Sequence, residues 1–203
     1  MRDKIIRSFE LLKRKKIIIL GALALSFVPV LNFLTTLLFG IYSLVIMAEG
    51  VDIILEKKNF CTGKEYLKKY FWKFFVVGFV LTLPQHLIFA FIPHYQVIRF
   101  IVSIIVVTIT IYSVPFVFIY NKGLESIQVS IIYLYNNLEK SMPLLVFNCG
   151  VLIIVNTSRL STITGNDYFI SVSECINGIF ALLCGMCVLF VSVMFEREIS
   201  NKA

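Results

Sequence analysis

Only two histidines are available for acid–base or metal chemistry in this chain, and one of them, His86, follows Pro84 and Gln85 in an otherwise apolar stretch. Proline removes a backbone hydrogen bond and frees a carbonyl, so Thr82, Gln85 or His86 could line the gap that it opens. Polar groups deep in an apolar segment are costly and often functional. Pro84, Gln85 and His86, with Asn148 from a later segment, are therefore the candidate intramembrane polar site. The same residues equally suit packing, with His86 hydrogen-bonded to Asn148 or Thr108 across a helix interface.

Other reactive types fall in patterns that favour structure over chemistry. There is no Gly-rich phosphate loop, no H-E-x-x-H and no G-x-S-x-G, so no catalytic residue, metal ligand or cofactor site is expected and the chain reads as non-enzymatic. Cys184-Gly185-Met186-Cys187 is formally C-x-x-C, but with Gly178 and Ala181 it reads as a small-residue packing surface. His94 reads as an interfacial aromatic. Glu49 and Asp52 are expected to be solvated beside Lys57 and Lys58. No acid sits at mid-depth, which leaves proton- or sodium-coupled transport without visible machinery. The Asn156-Thr157-Ser158 sequon lies inside an apolar segment and is expected to be unused.

The elements that carry these residues follow from composition. With 59% hydrophobic residues, 15% charged residues and a mean hydropathy of +0.89, the chain departs far from a soluble globular average. A membrane-crossing helix needs about 20 apolar residues for a hydrocarbon core roughly 30 Å thick. The uncharged run Ile17 to Ala48 would make a helix of about 48 Å, so it is read as a hairpin broken near Pro29-Val30-Leu31-Asn32. The expectation is an all-α, polytopic bundle forming a single domain over residues 1–203. Its six spans fall at about 17–33, 35–54, 74–93, 100–120, 143–159 and 175–195, paired in three hairpins. A short apolar stretch before Ala22-Leu23-Ala24 argues against a cleaved signal peptide.

Lys and Arg accumulate on the cytoplasmic side of membrane proteins. With six spans, all of the 19 basic residues except Arg99 and Arg159 fall on the side of the termini, so both termini are expected in the cytoplasm. Each hairpin is preceded by a segment read as a cytoplasmic amphipathic helix: residues 3–16, 64–73 and 123–140. In the third, Leu124, Ile127, Ile131, Leu134 and Leu138 recur at helical spacing. The longest external segment, about 160–174, is expected to turn at Gly165-Asn166-Asp167. Lys13, Arg14, Lys15, Lys16, Lys57, Lys58, Lys64, Lys68, Lys69 and Lys73 form the candidate surface for anionic lipid headgroups.

Pro115-Phe116 near the end of the fourth span, Gly123 after it, and Ser126 and Ser130 in the helix leading to the fifth carry a resemblance. With KEYLKKYFWKFF ahead of the third span, this pattern resembles the membrane domains associated with bacterial glycerophosphodiester phosphodiesterases, and related stand-alone six-span proteins. The resemblance covers nearly the whole chain and implies the fold. It transfers no catalytic residue, because that chemistry belongs to a separate soluble domain absent here. The resulting expectation is a non-enzymatic component of the cytoplasmic membrane that organises lipids or partners. The alternative is a small transporter or substrate-binding subunit of an ATP-driven complex, partnered by an ATPase or another membrane protein. No nucleic acid is expected as a partner.

Overall fold

The computed structural model describes residues 1–26, 32–91, 96–160 and 167–201; a few side chains within these stretches, those of Gln85 and His86 among them, lie outside the description. Regular structure among the described residues is entirely helical: α1 (Arg2–Lys13), α2 (Lys16–Ser26), α3 (Asn32–Ile54), α4 (Gly63–Phe91), α5 (Gln96–Ile109), α6 (Ser113–Tyr120), α7 (Glu125–Asn136), α8 (Leu138–Leu160) and α9 (Asp167–Ser200). Among the described residues, three stretches are long and apolar enough to cross a membrane: Leu37–Ile54 in α3, Leu138–Val155 in α8 and Glu174–Ser200 in α9. The sequence led to six. Lys16–Leu25 and Ile104–Tyr120 are apolar but shorter. Of the expected hairpin break, Pro29 to Leu31 lie outside the described residues, and Asn32 is the first residue of α3.

Several boundaries differ from expectation for local reasons. Residues 64–73 do not form a separate amphipathic helix but are the first turns of α4, because nothing between Gly63 and Pro84 breaks the helix. Thr62 and Glu65 close a reciprocal capping box at its start, the Thr62 N–H donating to Glu65 Oε2 at 2.6 Å and the Glu65 N–H to Thr62 Oγ1 at 3.4 Å. The expected fourth span is two helices. Pro115 cannot donate a backbone hydrogen bond and its ring crowds the carbonyl of Ile111, so α5 ends at Ile109 and α6 starts afresh at Ser113. At the break, the Tyr112 N–H turns to the Ser130 hydroxyl of α7 at 3.2 Å. Of residues 160–174, expected to form an external segment, 167–174 are already helical in α9, while Gly165 and Asn166 lie outside the described residues.

At 34 residues, α9 is about 51 Å long, well beyond a hydrocarbon core of roughly 30 Å. Its last turns lie at one end of the bundle with the ends of α3 and α6 and the starts of α1, α4 and α8. The first core cluster joins Leu44, Ile46 and Val51 of α3, Tyr66 and Tyr70 of α4, and Met186 and Phe190 of α9. The second joins Tyr112 and Phe116 to Leu144, Val191 and Phe195. α1 runs antiparallel to α9: Lys4 pairs with Glu198, its ammonium standing 4.1 Å from the Phe195 ring centre, and farther along Ser8 lies against Cys187. Toward the other end, large apolar side chains such as Leu34, Phe79, Ile101 and Val146 are exposed.

Candidate functional site

The expected polar site is only partly visible. Pro84 sits within α4, which continues through it, and the side chains of Gln85 and His86 lie outside the described residues, as does His94. Asn148 on α8 is 2% exposed, and its Nδ2 has no hydrogen-bond partner among the described residues. Thr108, one expected partner of His86, instead has its hydroxyl 3.9 Å from the Cys149 thiol.

Of the small surface expected around the C-x-x-C, Gly178 and Gly185 make no close helix contact among the described residues, since an added methyl would meet nothing within 4 Å, whereas Cys187 is buried against Ser8 of α1. Close approach occurs elsewhere, at Gly50 of α3, where an added Cβ would collide with the ring of Phe190. Cys61 is exposed and Cys187 buried. Among the described residues no group of three His, Cys, Asp or Glu side chains could hold a metal ion.

Charge is organised at the end of the bundle where the long helices project. Asp52, expected to be solvated, is 4% exposed. One turn before the end of α3, it faces α4 rather than water, accepting a hydrogen bond from the Tyr66 hydroxyl at 2.8 Å and pairing with Lys57 at 2.5 Å. Burial first, and then this bond to a carboxylate, raise the Tyr66 pKa. Glu196 on α9 is equally buried; its Oε1 accepts from Tyr120 at 2.6 Å and from Ser200 at 2.9 Å. Tyr133 of α7 donates to the Glu196 backbone carbonyl at 3.4 Å, and burial raises its pKa. Arg197 donates to the Ile54 carbonyl and, at 3.0 Å, to Glu56, whose carboxyl it holds below the usual range. Glu65 is held low by the Thr62 N–H.

The ten basic residues of the candidate lipid surface divide into three that the fold engages and seven, Lys69 among them, that stand exposed. Lys15 pairs with Glu49 at 2.7 Å, Lys57 with Asp52, and Lys73 donates to the carbonyl and side-chain oxygens of Asn121, both at 2.8 Å. These three are half-buried parts of the fold. Lys69 stands 4.9 Å from the Tyr70 ring centre, and the Tyr70 hydroxyl raises its pKa. Lys13, Arg14, Lys16, Lys58, Lys64 and Lys68 are exposed. Phe9 (59% exposed), Phe60 (55%) and Trp72 (70%), from the same segments of the chain, are exposed as well, a mixture of cations and aromatics suited to a membrane–water interface.

A cleft of about 340 Å³ opens between α1 and α9, lined by Asp3, Lys4, Arg7, Ile54, Met194, Arg197, Glu198 and Asn201. Lys4 and Arg197 are already engaged there with Glu198 and Glu56. Sequence reasoning missed Glu196 because it reads as the polar exit of the last apolar segment. A signal was present: Ser192, Glu196 and Ser200 recur at four-residue spacing, one polar stripe on an apolar helix. No family model, curated protein or solved structure matches the chain.

Proposed function

We propose that this chain is a six-span component of the cytoplasmic membrane, with both termini on the cytoplasmic side, that gathers anionic lipid and holds partners without chemistry of its own. The observation that carries the reading is the exposed set Lys13, Arg14, Lys16, Lys58, Lys64 and Lys68, interleaved with Phe9, Phe60 and Trp72. Each such cation attracts an anionic leaflet by about 1 kcal/mol near the surface. The three long apolar stretches support the membrane reading. Contacts among Ile54, Glu56 and Arg197, between Tyr120 and Glu196, and between Lys73 and Asn121 support placing the basic segments on one side. The residues behind the family resemblance share the α6–α7 region, where Pro115, Phe116, Ser126 and Ser130 are all buried, and kinship with those membrane domains is part of the proposal.

The test is reconstitution in nanodiscs of mixed zwitterionic and anionic lipid, with retained lipid identified by native mass spectrometry. The protein should enrich anionic lipid, and replacing these six basic residues by Gln should abolish the enrichment. Unchanged enrichment, or a stoichiometric ATPase after purification in mild detergent, would overturn the reading, the second in favour of a transport complex. Orientation is read separately: with Cys61 as sole cysteine, an impermeant thiol reagent should label it only in opened cells.

A further inference from the structure

α7 is turned opposite to a helix packed on a soluble core. Its buried residues include Ser126 and Ser130, each 0% exposed, whereas Leu124 (53%), Ile131 (42%), Ile132 (52%) and Tyr135 (82%) point outward. The expected stripe of leucines and isoleucines is therefore split, with Leu134 inside and Leu124 and Ile131 outside. Ser130 faces inward for a local reason: it supplies the acceptor that the Tyr112 N–H needs at the break between α5 and α6. Seating a small polar face there leaves the large apolar side chains outward.

We propose that the acyl-chain border of the cytoplasmic leaflet covers this outward face, so that α7 lies in the membrane interface. The proposal rests on the membrane reading above. Two observations select lipid as the occupant. Exposed apolar side chains recur just beyond α7 on α8, at Leu138 (49% exposed), Met142 (51%) and Val146 (68%), on a stretch long and apolar enough to cross a membrane. Cations also stand just beyond both ends of α7, Lys122 before it and Lys140 after it, where headgroup phosphates would meet them. Of the exposed polar residues, Glu125 and Asn136 fall together along one edge of the helix, which leaves that edge for water, while Gln128 stands on the outward face between Tyr135 and Ile132, at the depth where a headgroup can meet it. A helix so placed sinks its apolar side about 5–10 Å into the headgroup–acyl boundary.

Trp72 is the only tryptophan, so Trp72→Phe gives a silent background. In it, Ile132→Trp or Tyr135→Trp reports on α7 and Val146→Trp on α8, each in full-length protein reconstituted into vesicles of lipid brominated near the glycerol end of the acyl chain. Should one α7 variant fail to accumulate, the other gives the same reading. The expected result is loss of most emission at both helices, with little further loss to aqueous iodide. Quenching at Val146→Trp while the α7 reporters respond only to iodide overturns the proposal and leaves the membrane reading intact. No lipid quenching at any position overturns both. Shielding of the α7 reporters from lipid and iodide alike, with cross-linking between copies, assigns the face to a second copy and overturns the proposal.

Discussion

The Tyr66 hydroxyl donates to the Asp52 carboxylate at 2.8 Å, tying the first turn of α4 to the last turn of α3 inside a region from which water is excluded. Tyr66→Phe leaves the carboxylate dependent on Lys57 for charge pairing, and stability should fall by about 1–3 kcal/mol, the cost of an unsatisfied buried acceptor. Thermal unfolding in detergent measures it; an unchanged midpoint would show that water reaches Asp52.

Alkaline pH tests the same pair. Tyr66 is held above its ordinary pKa of 10.0, so its contribution is complete below pH 10 and is lost as pH rises through the raised value. Wild-type protein should therefore lose stability more steeply above pH 10 than Tyr66→Phe. Parallel profiles would contradict this.

The acid limb has the opposite sign. Glu56 and Glu65 are both held below their ordinary 4.5, so what they contribute is present above that value and is lost as pH falls through the lowered ones. Protection of the 55–66 segment against hydrogen exchange, corrected for the intrinsic rate at each pH, should fall below pH 4.5, and Glu56→Gln should already be less protected at neutral pH.

Gly50 faces the Phe190 ring, which is 0% exposed and has no room to retreat. Gly50→Ala should destabilise by about 1–3 kcal/mol through overpacking. Phe190→Leu combined with it should recover part of the loss, because the two positions share one contact. Additive effects in the double variant would rule out the clash.

Asn121 ends α6 in the left-handed region at φ 56° while accepting two hydrogen bonds from Lys73. Asn121→Ala should cost about 1–2 kcal/mol of backbone strain. Asn121→Gly removes only the side-chain acceptor and should cost less, since glycine adopts this conformation freely. Equal losses would place the whole effect in the Lys73 bond.

Helical character was legible from apolar runs and charge spacing, because those report directly on what a segment can bury. The break between α5 and α6 was not: Pro115 announces it, but its position depends on Ser130 arriving from another helix to satisfy Tyr112. The burial of Asp52 was hidden for a related reason. Treating the end of an apolar run as the edge of the protein places every adjoining acid in water, whereas α3, α4 and α9 pack onward past that edge. Among the ten basic residues, sequence distinguished none of those engaged within the fold, since Lys15, Lys57 and Lys73 differ from their neighbours only in what later segments bring to them.

The seat of α1 on α9 also orders events in time. Lys4 and Glu198 are separated by 194 positions, so at translation rates of about 5–20 residues per second the ribosome needs roughly 10–40 s after making one to deliver the other. Throughout that interval Leu11 and Leu12 have no α9 to cover them. A helix made early thus docks late, and its seat is complete only once the segment that carries Glu198 has been synthesised.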